Sequence, residues 1–127
     1  MPANTKPIFP LIPNISITNI INTANISRTG EGSQVVFTAS ANGSYVDEIS
    51  AISLGNNDYA ILRLFINNQL YREFNLESSA ASETSIQPLF LRRLDLTLPA
   101  TYTLSVAISI MSLTPDGWSV TVTGGDY

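Results

Sequence analysis

From residue 14 onward, apolar and polar side chains alternate along the chain with a period of two. The pattern is cleanest in the last quarter. Tyr102, Leu104, Val106, Ile108 and Ile110 alternate with Thr103, Ser105, Ala107 and Ser109, and Trp118, Val120 and Val122 alternate with Ser119, Thr121 and Thr123. Successive side chains of a strand point to opposite faces, so both runs predict strands with one buried and one wet face. Between them, Thr114-Pro115-Asp116-Gly117 has turn chemistry, with proline presetting φ and glycine free to take φ > 0. Earlier strands are expected at about 15–21, 34–40, 45–54, 59–66, 70–77 and 88–98. Asn42-Gly43 is a hairpin cue, Gly30 and Gly32 mark another loop, and residues 77–86 form a polar loop of small residues. No stretch carries helical periodicity with caps.

The hairpin around Asn67-Asn68-Gln69 can be tested for register. A two-residue loop would set Arg63 opposite Arg72, a destabilising like-charge pair. A three-residue loop sets Arg63 opposite Glu73 and Phe65 opposite Tyr71, and it is the expected form, although it also sets Arg72 opposite Leu64 on the face that should be buried. About eight short strands with regular turn signals predict an all-β fold, an antiparallel β-sandwich of jelly-roll type. Strand order does not follow from these data.

Residues 1–13 read differently. Pro2, Pro7, Pro10 and Pro13 fix φ and restrict the residue before each, which favours an extended, polyproline-like path. At about 3.1 Å per residue such an arm reaches roughly 40 Å. It also carries Ile8, Phe9, Leu11 and Ile12, which a solvated linker would not need. The arm therefore lies on something: its own domain, as an edge strand, or a neighbouring subunit, which is the preferred reading. The expected organisation is an extended N-terminal arm over 1–13 and a single β-sandwich domain over 14–127.

Composition narrows the function. With 44% hydrophobic residues the 127-residue chain can form one core without disulfides or metal. Only 13% of residues are charged, about half the usual ~25%, and Ser, Thr and Asn take their place. A surface of that kind loses few hydrated charges when a partner covers it. The net charge is -4, Lys6 is the one lysine, and only Arg92 and Arg93 adjoin, so nucleic-acid binding is disfavoured. The chain has no apolar run of about 18 residues and no basic leader followed by an apolar stretch, so it is expected to work without export or membrane insertion. The Asn-X-Ser triplets at Asn14, Asn25 and Asn42 then read as loop and strand residues.

Catalysis finds little to work with. There is no histidine and no cysteine, which removes the commonest acid–base group, the commonest metal ligand and thiol chemistry. Lys6 lies in the arm, the ten acids are scattered, and no phosphate-binding glycine motif occurs. Calcium could be offered oxygens by Asn56, Asn57 and Asp58, or by Asp116, but hydrogen-bonded turns explain these residues better. A sugar-binding surface would draw on Tyr45, Tyr59, Tyr71, Trp118 and Tyr127, although Trp118 alternates onto the buried face. The expectation is no enzyme, no cofactor and no metal.

Several segments carry a family resemblance. Met1-Pro2-Ala3-Asn4-Thr5 with Pro7-Ile8-Phe9, Val36-Phe37-Thr38-Ala39, Asn42-Gly43-Ser44, Leu62 to Asn68, Leu98-Pro99-Ala100 and the closing Gly124-Gly125-Asp126-Tyr127 resemble small virion proteins of tailed bacteriophages and prophages. The likeness runs from the first residue to the last; it departs at Asn68–Leu70, where such proteins carry a longer insertion. It implies a head decoration, or cement, protein of cyanophage type, made in the host cytoplasm and bound to the outer surface of the capsid. The implied partners are the major capsid protein and further copies of itself, as a dimer or trimer, with Pro7, Ile8, Phe9, Pro10, Leu11, Ile12 and Pro13 as the gripping arm. A tail or baseplate β module, or a glycan-binding domain, is the alternative.

Overall fold

The computed structural model describes residues 12–20, 28–29, 33–80, 84, 86–110 and 116–127. Among these, eight strands occur and no helix: β1 (Ile12–Ile20), β2 (Gln34–Thr38), β3 (Ser44–Ser53), β4 (Ala60–Ile66), β5 (Gln69–Leu76), β6 (Leu89–Leu98), β7 (Thr103–Ile110) and β8 (Trp118–Asp126). They form two antiparallel four-stranded sheets, ordered β1-β8-β3-β6 and β2-β7-β4-β5. First pairs with last, second with seventh, third with sixth and fourth with fifth. A long hairpin wound over on itself has this order, which is that of a jelly roll. The period-two pattern could locate the strands but not this order, because alternation says which face a residue takes and nothing about its neighbour strand.

The core fills the space between the sheets. Val46, Ile49, Val120, Val122 and Trp118 come from the first sheet, and Leu62, Leu64, Leu104, Val106 and Ile108 from the second. Leu104, Val106, Ile108, Trp118, Val120 and Val122 belong to the half of their strand's alternation expected to be buried, whereas Tyr102, expected with them, precedes β7 and is 38% exposed. At the side where β5 and β6 are the sheet edges, Phe74 and Phe90 stack with ring centroids 5.0 Å apart. The Arg92 guanidinium lies over Phe90 and, more distantly, over Phe74.

Two expectations need correction. The β4–β5 loop is the two-residue turn Asn67-Asn68, both at positive φ (48° and 64°) as the tight hairpin turns demand. Arg63 still faces Glu73 and Leu64 faces Arg72, but Phe65 faces Leu70, so Tyr71 is the extra residue of a β-bulge. A short loop and the opposite-charge pair are thus both accommodated. Arg72 avoids the core by folding its guanidinium over the Tyr71 ring, 4.4 Å from the centroid.

The second correction concerns the outer face of the β2-β7-β4-β5 sheet, which is not wet at its centre. Arg63, Phe65, Ser105 and Ala107 point to that face and are all at most 5% exposed. The two described anchor points of the β1–β2 connection contact this face: Arg28 pairs with Glu73, and the Ser33 hydroxyl bonds that of Ser105 at 3.0 Å. Glu73 also accepts from Arg63 at 2.9 Å. The two guanidiniums, Arg63 first, hold the Glu73 carboxyl below the usual carboxylate range.

Candidate functional site

The outer face of the other sheet differs in kind. The pairing sets three rows across β1, β8, β3 and β6: Ile15, Thr123, Glu48, Arg93; then Ile17, Thr121, Ser50, Leu91; then Asn19, Ser119, Ile52, Leu89. The middle strands contribute hydroxyls, while isoleucine and leucine occupy both margins. Ile15, Ile17 and Leu89 are 64%, 68% and 60% exposed, with Leu91 and Ile52 also open. Apart from Glu48 and Arg93 in one row, the three rows carry no charge. A flat face of this make-up can be covered with little loss of hydration.

A groove of about 570 Å³ lies at the charged end of this face. Its floor is Gly124-Gly125 of β8, with Pro13 and Ile15 on one side and Tyr45, Asp47 and Arg93 on the other. The glycine is required: a Cβ at Gly124 would stand 2.1 Å from the Tyr45 carbonyl oxygen. Asp47 is an extra residue in β3 relative to β8, and this bulge presents its carboxylate to Arg93 at 2.8 Å. Arg93 also approaches Asp95 at 3.6 Å, and the Tyr45 hydroxyl donates to Asp95. Asp47 and then Asp95 raise the Arg93 pKa, and the hydrogen bond to Asp95 is the main cause of the raised Tyr45 pKa. These groups hold their protons at neutral pH, so the groove is suited to contact through hydrogen bonds.

Asp126 ties three strands together beneath the groove. Its Oδ1 accepts from the Ser44 hydroxyl of β3 at 2.6 Å and from the Asn14 amide of β1 at 3.0 Å. These two bonds, Ser44 first, lower its pKa.

The predicted arm falls in two parts. Pro7, Ile8, Phe9, Pro10 and Leu11 lie outside the described residues. Ile12 and Pro13 are the first residues of β1, opposite Asp126 and Gly125, so the strand begins before the boundary that the prolines suggested. Pro13 is compatible with the ladder because its missing N–H lies on the edge side, away from β8.

The residues considered for calcium form a hydrogen-bonded knot. Asn57, 4% exposed, donates through Nδ2 to Ser53 Oγ and to the Gly117 carbonyl, both at 2.8 Å, and accepts from the Gly117 N–H at 2.9 Å. The Asn56 N–H donates to Asp116 at 2.7 Å. No three acidic side chains gather in a metal-binding group among the described residues. Of the aromatics, Trp118 is core, Tyr59 is exposed, Tyr45 lines the groove, and Tyr71 shares a separate depression with Tyr102, Asn67 and Gln69. Sequence reasoning missed the exposed row of β1, where Ile15 and Ile17 point outward and Ser16 and Thr18 inward, while Ile20 joins the core. The reversed polarity of Ile15, Ile17 and Ser16, Thr18 was the signal available. No protein-family model matches the chain, and no curated protein does.

Proposed function

We propose that this chain is a structural component of a phage particle, a decoration protein that binds the outer surface of the head and ties neighbouring major capsid subunits together. The observation that carries the reading is the charge-poor, isoleucine-edged outer face of the β1-β8-β3-β6 sheet, continuous through β1 with the proline-rich segment. The full-length resemblance to phage virion proteins supports it. Cementing needs no catalytic group; it needs a compact body, a surface easily desolvated, and a grip. Since the partner surface exists only on the assembled shell, binding stabilises that state by mass action. Ile8, Phe9, Leu11 and Ile12 serve as anchors, with the prolines reducing the entropy lost on docking.

A second reading, a tail module that binds glycans, is favoured by the glycine-floored groove with Tyr45, Asp47 and Arg93. Co-sedimentation of the protein with emptied capsids separates the two. Saturable binding, abolished by deleting residues 1–11 so that β1 stays whole, is the expected result. A deletion variant that still fills the shells would overturn the role of the arm. Absence of head binding, with affinity for an oligosaccharide, would transfer the function to the groove.

A further inference from the structure

Among the described residues four strands are sheet edges: β1, β6, β2 and β5. An edge presents unpaired backbone groups and is ordinarily blunted by charge, proline, a bulge or shortness. β6 carries Arg92, Arg93 and Asp95 and is irregular opposite Asp47. β5 carries Arg72 and Glu73 and the Tyr71 bulge, and β2 has five residues with a bulge at Val36. β1 has only one of these protections, Pro13 near its start. It runs nine residues in unbroken register with β8 and holds no charge.

The proline fixes which backbone groups face outward. Pro13 has no N–H, so its pairing with Gly125 must be of the non-hydrogen-bonded kind. Asn14, Ser16, Thr18 and Ile20 therefore bond to β8, and the N–H and C=O groups of Ile15, Ile17 and Asn19 point to the far edge. The preceding eleven residues are ill suited to occupy that edge. Pro7 and Pro10 are three apart, so in any register one of them falls where a donor is needed. Another β1 fits better, because its one proline, Pro13, stands at the end of the strand and not within it.

We infer that two copies of this chain associate through their β1 edges, antiparallel about a two-fold axis at Ser16, the midpoint of the strand. This register overlaps all of β1 and matches hydrogen-bonding positions with hydrogen-bonding positions, with Ile15, Ile17 and Asn19 supplying the donors; Pro13, opposite the partner's Asn19 at the end of the ladder, only accepts. It sets Ile15 against the partner's Ile17 and Ile17 against the partner's Ile15, so four exposed isoleucines close into one patch on the outer face. Asn14 meets the partner's Thr18, and no charge is buried. The two sheets become one of eight strands, and the proline-rich segments leave from opposite ends of the β1 pair, about 27 Å apart at ~3.4 Å per residue. The inference deepens the self-association that the family resemblance implies but does not depend on the capsid, and its test uses the free protein.

Sedimentation velocity of the full chain should give twice the 13.7 kDa chain mass. Ile17→Lys and Ile17→Pro should each halve it while the chain stays folded, because the Ile17 N–H does not serve β8; the melting temperature should fall only to that of the diluted wild-type monomer. Ile86→Lys, at a fully open position away from β1, should leave the dimer intact. The chain has no cysteine, so single-cysteine variants report the register cleanly. Ser16→Cys should oxidise to a disulfide-linked dimer, since residues on the axis form a non-hydrogen-bonded pair with Cα atoms about 4.5 Å apart. Thr18→Cys, roughly 14 Å from its own counterpart in this register, should not. A monomeric or trimeric wild-type protein, a dimer untouched by both Ile17 variants, or cross-linking of Thr18→Cys in place of Ser16→Cys would overturn the inference.

Discussion

Asn57 offers the sharpest test of how the loops at one end of the sandwich are held. Replacing it with alanine removes three hydrogen bonds, to Ser53 Oγ and to both polar groups of Gly117. The partners do not lose equally. The Gly117 carbonyl keeps the Leu54 N–H at 2.9 Å, and Ser53 keeps its bonds to Gly55. The Gly117 N–H, in contrast, is left buried without its acceptor. Three neutral hydrogen bonds at ~1 kcal/mol each, with one orphaned donor, put the loss at about 3 kcal/mol. Against a total stability of roughly 5–15 kcal/mol this is a large fraction. The assay is urea unfolding followed by fluorescence of Trp118, the only tryptophan, which is buried next to Gly117. Asn57→Asp adds a sign. An oxygen would replace Nδ2 opposite the Gly117 carbonyl, and burial would raise the carboxyl's folded-state pKa above the unfolded ~3.9. The variant should be closest to wild type below that value, where the acid can still donate, and weaken as pH rises through it. An alanine variant less than about 1 kcal/mol below wild type, or an aspartate variant with a flat pH response, would refute the reasoning.

Asp126→Asn should flatten the acid limb of stability. The wild-type carboxylate has its pKa lowered by Ser44 and Asn14, so its contribution is present above the unfolded pKa and is lost as pH falls through the folded one. Urea midpoints between pH 2 and 7 check this, and an unchanged slope would contradict it. Gly124→Ala drives a methyl group into the Tyr45 carbonyl and should cost about 1–3 kcal/mol in the same unfolding assay; a neutral result would mean that β8 and β3 separate easily. Asn68→Gly should raise the melting temperature slightly, by a few tenths to about 1 kcal/mol in stability, because glycine takes positive φ more readily than asparagine. A lower melting temperature in calorimetry would argue against the turn assignment.

How far the sequence could be read depended on which force set each feature. Strand positions were legible because burial between two sheets imposes a period of two on Leu62-Leu64 and Val120-Val122 without reference to distant residues. The partner of each strand was not, since β1 meets β8 through pairs 98 to 114 positions apart. At the β4–β5 hairpin the charge argument correctly placed Arg63 opposite Glu73, yet it yielded the wrong loop, because a bulge at Tyr71 meets the same requirement. Ser105 and Ala107 read as wet from their alternation, but contacts from Arg28 and Ser33 lie on that face. That β1 takes in Ile12 and Pro13 has a simpler reason: proline is tolerated in an edge strand when its nitrogen faces away from the ladder. Of the candidate surface, the exposed isoleucines were visible as letters, and only the sheet order showed that they line one margin of a face.

The pairing of the first strand with the last has a kinetic consequence. Ile12 finds Asp126 across 114 positions of chain, so during synthesis β1 stays without its ladder partner until β8 has been made. At roughly 5–20 residues per second that wait lasts about 6–23 s. Throughout it, Ile15, Ile17 and Ile20 sit in a charge-free stretch with every backbone donor uncommitted, a template for pairing between nascent chains. Folding of such non-local sheets is also slow once the chain is complete. Yield should therefore fall with expression rate before it falls with intrinsic stability, and lower temperature or slower translation should recover soluble protein.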